Sequence, residues 1–221
     1  MRYKLWQGNK TSKTLKFWFY LCAFVTIGIF GAGIWIGIAE PAFIPYPDKP
    51  FIGAIAIVIA LFLATPFLFQ FLFARWRQYP WLTIFLELNF FLIIGLGSAG
   101  SFGLYEIFPE FDTLLHGFVT LQTAIILGLV FWILSESPPH FTSVFLVALI
   151  GSIIFLLLWE FLEYALDGLT EIDFFLTQGE LDDFRKDLWA DLAGALVGSF
   201  IALLTSQPLA RMLKNHSHNN I

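Results

Sequence analysis

The stretch FIGAIAIVIALFLATPFLFQFLF, Phe51 to Phe73, carries no charged side chain from end to end. Coiled as a helix at ~1.5 Å per residue, it is long enough to cross the ~30 Å hydrocarbon core of a bilayer. Its apolar residues follow one another continuously instead of alternating with polar ones, which marks a lipid-embedded helix and not a barrel strand. Working outward, similar runs lie at Phe17 to Ala39, Trp81 to Gly103, Leu114 to Leu134, Phe141 to Tyr164 and Leu188 to Thr205. Between them stand Pro41, Pro45, Pro47, Pro50, Pro80, Pro109 and the pair Pro138 and Pro139. There the missing N–H and the ring clash oppose helix continuation. The expected fold is all-α, a polytopic membrane helix bundle with about six transmembrane helices.

Composition agrees. Of 221 residues, 58% are hydrophobic and 13% are charged, about half the charge that a soluble domain uses to cover its surface. A lone cysteine, Cys22, inside an apolar run rules out a disulfide framework and a cysteine-based metal cage. Net charge is −5, and the basic residues form a membrane-side head, so nucleic acid is not an expected partner. The lipid bilayer is. The first run is too long for a removable signal peptide and lacks a small-residue cleavage site, so it reads as a permanent helix. The expected layout is a basic cytoplasmic head (1–16), a transmembrane domain (17–205) and a cytoplasmic tail (206–221).

Orientation follows from Lys and Arg, because the positive-inside bias counts cations in short loops. Arg2, Lys4, Lys10, Lys13 and Lys16 precede the first span, Arg75 and Arg77 follow the second, and Arg211 and Lys214 follow the sixth; only Lys49, Arg185 and Lys186 fall on the other side. Both termini are therefore expected in the cytoplasm. Trp6, Trp76 and Trp81 sit where an interfacial aromatic belt would lie.

The acids distribute the opposite way, with Glu87, Glu160, Glu163 and Asp191 left inside spans. An ionised carboxylate at mid-membrane costs at least ~2.5–3.5 kcal/mol, so each needs a partner or a proton. Spacing groups most of them. Asp112 and His116 are four apart at the start of the fourth span, Glu160 and Glu163 three apart near the end of the fifth, and Asp183, Asp187 and Asp191 step by four into the sixth. Residues three or four apart share a helical face. With these spans, all three sets lie within about two turns of the extracytoplasmic surface. Glu87 and Asn89 start the third span near the opposite surface and are excluded from that mouth; for Glu87 the expectation is a buried carboxyl, protonated or hydrogen-bonded across helices.

Clustered carboxylates repel one another unless a cation compensates. Arg185 and Lys186 are internal candidates, and a divalent metal ion is the external one. Carboxylates with one imidazole suit Zn, Mn or Fe, and carboxylates alone suit Mg or Ca. The Glu-x-x-Glu step resembles the inward-facing spacing of di-metal bundles, although such a pair is common on any helix face. Other readings stand beside this one: His116 as an interhelical hydrogen-bonder, Asp112 as the N-cap of the fourth helix, Asp183 and Asp187 as dipole-stabilised acids at the start of the sixth. None of these accounts for Glu160 and Glu163 at a helix C-terminal end, or for Asp191 a turn deeper. Gly194-Ala-Leu-Val-Gly198 and Gly33-Ile-Trp-Ile-Gly37 are GxxxG steps suited to close helix contact. The glycine-rich run from Gly95 to Gly103 could loosen or break the third helix.

FDTLLHGF, WEFLEYALDGL and TQGELDDFRKDLWADLAGALVG, in that order, resemble the YjdF-like family of uncharacterised bacterial inner-membrane proteins and, more distantly, VanZ-like proteins. The resemblance covers the C-terminal half. Asp112 and His116 match its first motif, Glu160 and Glu163 its second, and Thr177, Gln178, Gly179, Asp183, Lys186, Asp187 and Gly194 its third. Glu180 stands where the family usually has Asp, and Tyr164 replaces a frequent Trp. The resemblance implies a bacterial cytoplasmic membrane location and an envelope-related role.

The expected metal ligands are Asp112, His116, Glu160, Glu163, Asp183, Asp187 and Asp191, with Gln178 and Lys186 orienting ligands or meeting an anionic substrate group. Were the ion catalytic, Glu163 or His116 would accept a proton during hydrolysis of a lipid-linked head group. Two other classes fit the same residues: an ion- or proton-coupled transporter, against which no internal repeat is found, and an assembly subunit whose acids meet a partner's basic residues.

Overall fold

A computed structural model describes residues 13–41, 49–74, 76–99, 107–108, 110–135, 137–169 and 181–218. The described residues are helical and contain no strand. The helices are α1 (Lys13–Ala39), α2 (Lys49–Leu72), α3 (Pro80–Ala99), α4 (Phe111–Leu134), α5 (Phe141–Leu169) and α6 (Leu181–His218), with a 3-10 turn at Trp76–Gln78 before α3. Six of them are long and apolar enough to cross a membrane. This is the architecture expected, with longer ends: α5 runs beyond Tyr164 and α6 both begins before Leu188 and continues through Pro208.

Local chemistry explains the ends and the continuity. α1 stops at Glu40, which takes φ 42° in the left-handed region just before Pro41. Ser135 ends α4: its backbone N–H and its hydroxyl both donate to Phe131 O, at 3.0 and 2.7 Å, and Pro138 and Pro139 follow. Inside the spans, hydroxyls turn back onto their own helix, as in Ser199 to Ala195 O at 2.6 Å and Thr205 to Ile201 O at 2.7 Å. Without water every polar group must find a partner within the protein. The same constraint bears on the first part of the glycine-rich run in the third helix, Gly100 and Gly103 lying outside the described residues. α3 passes unbroken through Gly95 and Gly97 to Ala99, because a broken helix would expose backbone groups to lipid.

The chain divides into two compact units, residues 1–91 with 213–221, and residues 92–212. In the first, α1 and α2 meet at glycines. A Cβ on Gly33 would stand 2.8 Å from Gly53 O, and one on Gly53 would stand 2.6 Å from Gly33 O. Phe19 and Phe67 pack edge to face at 5.0 Å. Trp76 is only 1% exposed; its Nε1 donates to Thr83 Oγ1 at 3.2 Å, and Thr83 in turn donates to Gln70 Oε1 at 2.6 Å. Trp76 therefore does not present its ring to a lipid interface: its indole is buried at the α2–α3 connection, where its N–H finds a protein acceptor.

In the second unit, α4, α5 and α6 share a core of Ala124, Ala148 and Ala202. Small residues let the backbones approach. A Cβ on Gly128 would lie 2.6 Å from Ala202 Cβ and 3.4 Å from Val144 Cγ1. Large apolar side chains are left outside, among them Leu204 at 74% exposure, as expected for a surface solvated by acyl chains and not by water.

Candidate functional site

α4 and α6 approach closely, and the GxxxG step permits it. A Cβ on Gly194 would collide with the carbonyl oxygen of Gly117, and one on Gly198 would stand 2.5 Å from Leu121 O. Gly117 reciprocates toward Ala190. Because Gly117 follows His116 directly, and Gly194 lies three residues after Asp191, this contact carries His116 onto Asp191.

The resulting side-chain geometry is close. His116 Nδ1 lies 3.0 Å from Asp191 Oδ2 and 3.3 Å from Glu160 Oε1. A carboxylate facing a ring nitrogen accepts, which assigns the hydrogen to Nδ1 and the ring's lone pair to Nε2. Thr120, one turn beyond His116 on α4, donates its hydroxyl to Asp191 Oδ1. Thr113 donates to Asp187 Oδ1 at 2.8 Å. Two aspartates of α6 are thus each pinned by a threonine of α4. Asp191 is 1% exposed and Asp187 6%. Glu160, reaching in from α5, has Oε1 buried and without a hydrogen-bond partner; the 3.3 Å approach of His116 is an electrostatic contact and not an aligned hydrogen bond. Among the described residues the ion pairs of Glu160 and Asp191 are with His116 alone.

Ligand atoms of Asp112, His116 and Asp187 all lie within 4.8 Å of one another, and so do those of His116, Glu160 and Asp191. The two triads share His116. Five of the residues singled out by spacing are therefore brought together. Asp112 is not the N-cap of α4: that position belongs to Glu110, and Asp112 lies in the first turn. Lys186 is exposed and in neither triad. The side chains of Glu163 and Asp183, and all of Gln178, lie outside the described residues. Thr113 and Thr120 carry no charge, so a pattern of ionisable residues does not mark them. Their signal was available, since Thr113, His116 and Thr120 fall at steps of three and four on α4, one face of the helix.

Glu87 is elsewhere, in the first unit. It is fully buried, and neither carboxyl oxygen has a hydrogen-bond partner among the described residues. Of the expectation for Glu87, a buried carboxyl that is protonated or hydrogen-bonded across helices, the burial is found, and a hydrogen bond across helices is not found among the described residues.

Comparison with known families places the chain. The family described as "Predicted membrane protein (DUF2238)" matches residues 21–207, and the chain belongs to it; the YjdF-like resemblance is consistent with this family. No curated protein and no solved structure matches.

Proposed function

We propose that this DUF2238 protein binds a divalent cation between α4, α5 and α6. The supporting observation is the pair of overlapping triads hinged on His116, with Asp191 and Glu160 both facing its Nδ1. In this reading Asp112 and Asp187 ligate together with His116, and Glu160, which faces Nδ1 beside Asp191, adds negative charge next to the ion. Asp191, held by Thr120 and facing Nδ1, fixes the ring and stands within reach as a further ligand, an arrangement frequent behind metal-binding histidines. Glu163 and Asp183, one turn along their helices from Glu160 and Asp187, are the remaining candidates. Mixed carboxylate and imidazole donors favour Zn, Mn or Fe over Mg.

The positive-inside bias orients the cluster toward the extracytoplasmic side. A site of this kind, at the membrane surface, fits a lipid-linked or other small anionic head group, which the exposed Lys186, next to Asp187 on α6, would meet; Gln178 is a further candidate by sequence. A bound divalent ion would supply charge stabilisation and acidify a water. The chain's own part in hydrolysis would be to hold the head group and to accept a proton at Glu163 or His116. The envelope character of the substrate rests on the VanZ-like resemblance.

The test is metal content of the detergent-purified protein, with Glu160→Gln and His116→Ala alongside. Stoichiometric metal in the parent and its loss in both variants is the expected result. A metal-free parent that drives ion-dependent uptake in proteoliposomes would replace this reading with transport.

A further inference from the structure

Glu87 has no part in the cation site, and its surroundings point to a different ligand. Its side chain is completely buried within the first unit, and both carboxyl oxygens lack a hydrogen-bond partner among the described residues. Around it the described helices bring no Lys or Arg ion pair; the titratable group within electrostatic reach is the Cys22 thiol of α1, itself 2% exposed. From α2 comes Gln70, which carries no charge and is engaged by Thr83. Thr83 is also completely buried and lies four residues before Glu87, on the same face of α3. A chain of polar groups therefore leads inward from the α2–α3 connection: Trp76, Gln70 and Thr83 hydrogen-bonded to one another, then Glu87 one helical pitch, ~5.4 Å, deeper.

We propose that Glu87 is a proton-binding site, filled and emptied from the α2–α3 end of the first unit by way of Thr83. A proton satisfies a buried, unpaired carboxylate where no metal-ligand set surrounds it among the described residues, and an ionisable residue inside a membrane bundle is by default a candidate for function. The binding step is simple: the carboxylate takes H⁺ and becomes a neutral acid, and release reverses it.

Infrared difference spectroscopy of the whole protein in lipid, parent minus Glu87→Gln, isolates this one carboxyl. At neutral pH the expected spectrum contains the C=O stretch of a protonated acid, and that band shifts when the sample is moved into D₂O. Thr83→Val is expected to slow the shift by about tenfold. Should Glu87→Gln fail to fold, Glu87→Asp serves, because it displaces the band instead of deleting it. Carboxylate bands in place of the acid band would overturn the proposal, since Glu87 would then be charged and hold some other cation. An acid band that never shifts would overturn it too, leaving a sealed structural group, and an unchanged rate in Thr83→Val would remove the entry route.

Discussion

At the scale of single residues, the cluster is governed by what an acid needs when water is removed. Asp191 has two donors, the Thr120 hydroxyl and the His116 ring, so its charge is spread over oriented hydrogen bonds. Removing one exposes the cost. Thr120→Val should lower stability by about 1–3 kcal/mol, the penalty for a buried acceptor left unpaired, read as a drop in detergent melting temperature. It should also weaken divalent-ion binding by about 10–100-fold, the effect usual for a group that orients a ligand. Equal stability of the two proteins would show that Asp191 does not depend on that hydroxyl. Protons compete with a cation for the same atoms, so affinity should fall as pH is lowered, the ligands binding only when deprotonated; titrations at two pH values would reveal it.

Among the helices, the decisive contact is glycine against backbone. Gly194 and Gly198 face Gly117 O and Leu121 O with no room for a side chain, so Gly194→Val must push α6 away from α4 and with it Asp187 and Asp191 away from Thr113 and His116. Loss of metal binding with the helical circular dichroism retained is the expected outcome. Gly95→Ala provides the contrast. A Cβ at Gly95 meets nothing within 4 Å, and helix propensity favours Ala by up to ~1 kcal/mol, so that variant should bind the ion as the parent does and melt no lower. The two glycines look alike in the sequence, and only their neighbours separate them.

For the whole molecule, the questions are which way it crosses the membrane and whether the ion steadies it. If the positive-inside bias orients the chain, Lys186, exposed on α6, faces outward. Lys186→Cys should then react with a membrane-impermeant maleimide in right-side-out vesicles and not in inverted ones, whereas native Cys22 is buried. Labelling from the inside alone would reverse the topology and put the acidic cluster on the cytoplasmic face. A ligand that binds the folded state stabilises it by about 2.7 kcal/mol at a hundred times its Kd. In a chain of this size that is a rise of about 5–10 °C in Tm, expected for the chosen metal and absent in His116→Ala.

The number of spans, their approximate limits and the residues of the acidic cluster were legible in the linear chain, because hydrophobic length and helical spacing are local properties that a bilayer enforces on every segment. Asp112, His116, Glu160, Asp187 and Asp191 could be singled out this way. Their meeting could not, since it depends on α4 and α6 touching at Gly117 and Gly194 and on α5 delivering Glu160 alongside. Tertiary packing alone decided that Trp76 is buried, that Thr113 and Thr120 serve as donors, and that Glu87 finds no hydrogen-bonding group among the described residues. In each case the answer lies in which atoms come within about 3 Å across two or three helices, a distance that no spacing within one helix contains.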